Sequence, residues 1–129
     1  MHNDFDVVVI GGGLVGLSLV RALARSGLRQ ALIEAHPAVP PADASWDIRV
    51  YALSPGSAAF LDDCGAWHRL PQDRIARVEA MQVHGDAEDA RLHFSAYEAG
   101  LRELAFIVEG RQLLQALWEG LGDLADLRI

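Results

Sequence analysis

Residues 7–16, Val7-Val8-Val9-Ile10-Gly11-Gly12-Gly13-Leu14-Val15-Gly16, decide how this chain is read. Four β-branched residues run straight into three glycines, the composition of a short strand buried on both faces and stopped by a turn. From Leu14 the apolar period changes. Leu14, Leu17, Val20 and Ala24 fall at helical spacing, which predicts a helix from Leu14 to Arg25, with Gly27 just past its end and Leu28 packing behind it. Ala31-Leu32-Ile33 reads as a second buried strand, closed by Glu34. Strand, glycine turn, helix and strand over residues 5–34 make a βαβ unit, and such a crossover joins parallel strands.

The glycines satisfy G-x-G-x-x-G at Gly11, Gly13 and Gly16. Gly11 permits the sharp turn out of the strand, Gly13 lets a pyrophosphate approach the backbone, and Gly16 lets helix and strand pack closely. The helix opening at Leu14 and Val15 offers amides without an intrahelical partner and a partial positive charge, which suit phosphate. Glu34 stands 18 positions after Gly16, close to the spacing of a carboxylate that accepts from ribose hydroxyls. The bland alternative is a structural turn with a solvated glutamate. The placement between a buried strand and a helix favours a dinucleotide site, and the charge of Glu34 favours FAD or NAD over NADP.

Working outward, the chain has 129 residues, 51% hydrophobic and 22% charged, which excludes disorder and suits one α/β domain. Eleven Lys and Arg against 18 Asp and Glu leave a formal charge of −7, so nucleic acid is not an expected partner. The single cysteine, Cys64, excludes an internal disulfide and reads as a buried small hydrophobe in a cytoplasmic protein. The acidic start, Met1 to Asp6, and the short glycine-broken apolar run after it are neither a signal peptide nor a membrane span. The five histidines lack ligand spacing, so no metal is expected, and no serine sits in a G-x-S-x-G elbow.

His36 to Ala44 reads as a proline-rich surface loop. Ser54 looks like an N-cap with Pro55 at the first helical position and Gly65 past the end, placing Ala58, Leu61 and Cys64 on one face. Val78–His84 and Arg91–Phe94 are strand candidates joined as a hairpin at Gly85-Asp86, and Phe106–Val108 is another short strand. A last helix is expected from Arg111 to Leu121, with Leu113, Leu114, Leu117 and Leu121 as its apolar stripe. Gly122-Asp123 reads as the glycine and polar residue that end it, and Leu127 and Ile129 look like the start of a further strand. Trp46, Trp67 and Trp118 lie in different elements, where packing is the simpler reading than a quinone-binding set.

Three segments in order, Asp6 to Leu17, Trp46-Asp47-Ile48-Arg49-Val50-Tyr51-Ala52-Leu53-Ser54, and Ile107-Val108-Glu109, resemble the FAD-dependent hydroxylases of ubiquinone biosynthesis. These are relatives of the p-hydroxybenzoate hydroxylase-like monooxygenases, and the resemblance spans nearly the whole chain. It implies a truncated Rossmann-like FAD/NAD(P)-binding domain with a parallel sheet and a β-hairpin excursion. It also implies a flavin monooxygenase that uses NAD(P)H and O₂ on a polyprenylated phenol. By the same resemblance Arg49 would meet FAD near its pyrophosphate and ribityl portion, and Arg111 matches a position where relatives place a polar flavin contact. No catalytic base is assigned.

Two further FAD motifs of that family, an Asp-Gly pair after a later strand and a Gly-Asp-Ala-Ala-His-like segment, are not in the sequence, and Gly85-Asp86-Ala87 reads as a turn. Residues 1–129 are therefore expected to be the N-terminal part of the FAD-binding domain, with the substrate domain and any peripheral membrane contact lying in a missing part. Such a piece is expected to be inactive alone, to hold FAD weakly or not at all, and to self-associate. Another FAD-dependent oxidoreductase of the same fold, or a non-enzymatic dinucleotide-binding module, stays open.

Overall fold

The computed structural model describes residues 4–36, 45–87 and 89–129. In chain order the elements are β1 (Val7–Ile10), α1 (Leu14–Ala22), β2 (Gln30–Ile33), β3 (Val50–Leu53), α2 (Pro55–Asp63), β4 (Ala76–Val78), β5 (Ala80–His84), β6 (Arg91–Ser95), β7 (Ala105–Glu109), α3 (Gly110–Trp118) and β8 (Leu127–Arg128). The proline-rich loop expected over His36 to Ala44 lies, past His36, outside the described residues.

The βαβ unit forms as the apolar pattern requires. β1 and β2 pair in parallel, Val7 opposite Gln30 through Ile10 opposite Ile33. β8 adds in parallel to the far side of β2, so Leu127 does continue the sheet. One expectation fails: β1 is not buried on both faces. Val9 and Leu32 point into the core, but on the other face Val8 is 52% and Ile10 82% exposed, because no described segment packs there. α1 also stops at Ala22 rather than Arg25. The Ser26 hydroxyl donates to the Leu23 carbonyl at 2.7 Å, and Gly27 turns the chain at φ +73°. These local bonds compete with continuation of the helix.

A second sheet, antiparallel and in the order β3-β7-β4, stands beside the first. Periodicity gave no sign of it. The expected strand Val78–His84 is divided between two sheets: β4 pairs with β7, whereas β5 pairs only with β6. The break falls at Glu79, whose carbonyl accepts the Ala96 amide at 2.8 Å. In the hairpin, Met81 opposes Phe94 and Val83 opposes Leu92, an apolar face left largely in solvent. Its connection closes with the Gly85 amide donating to the Ala90 carbonyl at 2.7 Å, so it is longer than a turn at Gly85-Asp86.

α2 is capped as expected, with the Ser54 hydroxyl accepting the Ser57 amide at 3.1 Å and Pro55 in the first turn. Ala58 and Leu61 are buried on its inner face, whereas Cys64, its C-cap, is half-buried. α3 spans Gly110–Trp118 and ends at Gly120, which is left-handed at φ +75°, so Leu121 opens a separate short turn and Gly122 is not the terminator. Leu17 and Val20 of α1, Leu61 of α2, Val108 of β7 and Leu113, Leu117 and Leu121 form one core. Trp67 packs edge-on to Phe106, centroids 5.1 Å apart.

Candidate functional site

The glycine turn meets each demand placed on it. Gly11 adopts φ +103°, a conformation that side chains rarely take, and its amide donates to the Ile33 carbonyl at 2.9 Å. A Cβ on Gly16 would lie 2.0 Å from the Gly11 carbonyl oxygen and 3.3 Å from Val9 Cγ1, so helix and strand touch only because the side chain is absent. A Cβ on Gly13 would meet nothing within 4 Å. That position faces open space at the start of α1, whose N-cap supplies no side-chain bond and whose first turn carries no acid. The amides of Leu14, Val15 and Gly16 thus open toward an unfilled approach.

Glu34 leaves β2 directly against this turn. Its carboxylate accepts the Gly12 amide on one oxygen and the His36 amide, at 2.7 Å, on the other. These donors, His36 before Gly12, hold the carboxyl below its ordinary 4.5. Gly12, an unspecified position in the motif, is itself constrained: its Cβ would lie 2.7 Å from Trp118 Cζ2 and 3.0 Å from Glu34 Cγ. Trp118, read from sequence as packing, is therefore part of the turn's wall. Its indole N–H is buried with no hydrogen-bond partner among the described residues.

On the other side of Gly13 a cleft of about 830 Å³ opens, lined by Gly13, Leu14, Arg49, Tyr51, Arg111 and Leu114 among others. Gly13, Leu14, Arg49 and Arg111, predicted from distant parts of the sequence, are thus brought to one cavity. Glu34 stands on Gly12 instead. Arg49 and Asp47, two residues apart, form no ion pair. Asp47 accepts the backbone amides of Arg49 at 3.1 Å and Arg111 at 2.9 Å, which draw its carboxyl below the ordinary value. It faces the Arg111 guanidinium at 3.9 Å. Among the described residues the Arg49 guanidinium has no hydrogen-bond or ion-pair partner, so a cation faces the same cleft as the α1 N-terminus.

Residues 45–49 reach this place through a network that sequence reasoning missed. Glu109, only 4% exposed, accepts from Arg74 at 2.6 and 2.7 Å and from the Asp47 amide at 2.7 Å. Burial raises the Glu109 carboxyl, but Arg74 and the Asp47 amide outweigh it and the net shift is downward. The Gly110 amide donates to the Arg49 carbonyl at 2.8 Å. Glu109 carried a signal only as part of the Ile107-Val108-Glu109 likeness, and Arg74 carried none.

A family model described as FAD binding domain matches residues 4–109. The 3-demethoxyubiquinol 3-hydroxylase of Escherichia coli is 34% identical over 121 residues, covering 93% of this chain and 31% of that protein. The mitochondrial ubiquinone biosynthesis monooxygenase of Mus musculus is 33% identical over 128 residues, covering 95% of the chain and 26% of the relative. The crystal structure of p-nitrophenol 4-monooxygenase from Pseudomonas putida superposes with TM-score 0.66 at 24% identity, covering all of this chain and 31% of that one, which shows the fold. The chain thus spans less than a third of the length of each.

Proposed function

The chain belongs to the FAD binding domain family, and on that premise we propose that it forms the adenosine-side portion of the FAD site in a flavin-dependent hydroxylase of ubiquinone biosynthesis. One observation carries the reading: an uncapped helix N-terminus, an open approach at Gly13 and the Arg49 cation, which has no hydrogen-bond or ion-pair partner among the described residues, share one cleft. That arrangement fits a pyrophosphate with an extension beyond it. Gly11, Gly13 and Gly16 with the Leu14 and Val15 amides hold the pyrophosphate, Glu34 the adenosine ribose, and Arg49 the phosphate on the flavin side. Arg111 forms the cleft wall next to it.

Bound FAD would supply the redox chemistry that couples NAD(P)H and O₂ to oxidation of an aromatic ring. This chain's residues bind and orient it. The polyprenylated phenol, the flavin-ring contacts and any contact with a membrane periphery belong to polypeptide beyond this chain, and a cytoplasmic site is part of the same proposal. Among the described residues no helix is long and apolar enough to cross a membrane.

The test is a titration of the purified chain with AMP and FAD, followed by calorimetry and flavin fluorescence. FAD should bind weakly, and Gly13→Asp should abolish its binding while the fold survives, because the side chain enters the open approach. Glu34→Ala should weaken both ligands about tenfold. The Glu34 carboxyl sits below 4.5 in the folded chain, so its contribution to ribose affinity is fully present above that pH and is lost as pH falls through the lower folded value. Affinity indifferent to Gly13→Asp and to acid would sink the reading.

Self-association belongs to the same proposal. Val8, Ile10 and Ile33 leave one face of a parallel sheet in water, whereas such sheets are ordinarily covered on both faces. Light scattering at rising concentration should show oligomers that Val8→Thr with Ile10→Lys disperses. A monomer at every concentration would count against it.

A further inference from the structure

We infer that Glu109 and Arg74 are positioning residues for the cofactor cleft: their ion pair pins the 45–49 strap across the start of α3 and so holds Arg49 over the cleft. This rests on the cofactor reading above and adds residues outside the ligand's reach. Neither lines the cleft. Both touch the strap that does. Arg74 donates to the Ser45 carbonyl at 3.1 Å and stacks over the Trp46 ring at 4.1 Å. Glu109 accepts the Asp47 amide, and Asp47 in turn accepts the Arg49 and Arg111 amides. The chain of contacts therefore runs from Glu109 to the backbone of Arg49 in two steps.

Stability alone gives little reason for such a pair. The side chains are 15% and 4% exposed, and an ion pair at that depth repays its desolvation only with near-complete hydrogen bonding, where apolar side chains often serve as well. What apolar side chains cannot do is hold a backbone amide and a carbonyl of one loop at a set place. Gly110 leaves no slack beneath the strap: a Cβ there would lie 3.1 Å from Tyr51, and 3.3 Å from both the Arg49 carbonyl and Asp47 Oδ2. The strap is thus bonded from one side by Arg74 and Glu109 and seated on bare backbone from the other. A mobile arginine would lose much of its affinity to the cost of ordering it.

The experiment compares FAD with AMP on the wild-type chain and on Glu109→Gln, Arg74→Gln, Arg74→Lys, Arg49→Ala and the Glu109→Gln/Arg49→Ala double variant, with amide hydrogen exchange measured on each. Glu109→Gln and Arg74→Gln should speed exchange at Asp47 and Arg49 but not at Leu17 and Val20. Both should weaken FAD about tenfold and leave AMP within about twofold. Arg49→Ala should weaken FAD equally without faster exchange, and Glu109→Gln should add almost nothing on top of it. Arg74→Lys should recover part of the loss. Equal loss of AMP, full additivity in the double variant, or global unfolding of both glutamine variants would make the pair structural and overturn the proposal. Variants that keep the wild-type FAD preference overturn the clamp alone. A wild-type chain that binds FAD no tighter than AMP overturns the cofactor reading itself.

Discussion

Gly16→Ala is expected to remove a large share of the chain's stability. The added Cβ would stand 2.0 Å from the Gly11 carbonyl oxygen, and the obstacle is backbone, not a side chain that can rotate away. Helix α1 must then lift off β1, opening the layer that contains Leu17 and Val20, both 0% exposed. Overpacking a core ordinarily costs 1–3 kcal/mol, and a clash with fixed backbone belongs at or above the upper end, so about 3 kcal/mol or more is expected. Against a total of roughly 5–15 kcal/mol, that lowers the thermal midpoint by roughly 10 °C or more.

Gly13→Ala is the matched control. Its Cβ has nothing within 4 Å and its φ of −79° suits any residue, so the melt should barely move while FAD binding falls. Circular dichroism melts of the two variants decide it. A Gly16→Ala chain melting within a degree or two of wild type would overturn the account of how helix and strand meet.

Arg21→Met carries the second large effect. Arg21 sits in α1, is 8% exposed, and sends its guanidinium across to the last turn of α3. It donates to the Leu117 carbonyl at 2.6 Å, the Ala116 carbonyl at 3.4 Å and the Glu119 carbonyl. A further bond at 3.3 Å reaches the Cys64 carbonyl at the end of α2. Burial pulls the Arg21 pKa down, but a guanidinium stays protonated throughout the working range. The cation therefore meets the negative end of α3 where it is most favourable.

Methionine preserves the apolar stem and leaves those carbonyls without their donor, at a cost of about 3 kcal/mol. Arg21→Lys should recover less than half, because one ammonium cannot span the termini of two helices as the planar fork does. Urea midpoints measure the loss, and hydrogen exchange at Leu117 and Leu121 should rise before that of β1 and β2. A loss under about 1 kcal/mol for Arg21→Met would contradict the assignment.

Arg21 also shows where sequence reading stopped. In the helical pattern it is a polar residue between Val20 and Ala22, with every reason to face water. Only the approach of α3, about a hundred positions later, turns it inward. Glu109 and Arg74 follow the same rule, since their worth depends on a partner 35 residues away. The division of Val78–His84 between two sheets was hidden for a related reason. An alternating strand has the same pattern whether its neighbour is β7 or β6, and the neighbour is chosen by which strand the rest of the fold presents.

Local steric and hydrogen-bonding demands were legible because they are met within a few residues. The β-branched run of β1, the glycine that must turn at Gly11, the Ser54-Pro55 cap of α2 and the parallel βαβ unit all follow from the chain alone. So does the nearness of Glu34 to the glycine turn, since the length of the crossover brings the end of β2 beside the end of β1. Tertiary structure decided which face of β1 stays bare, where Glu79 parts two sheets, and how Arg49 and Arg111 come to share a cleft with Gly13. Those outcomes rest on contacts between segments far apart in sequence, and such contacts form only when the packed core has set the distances between them.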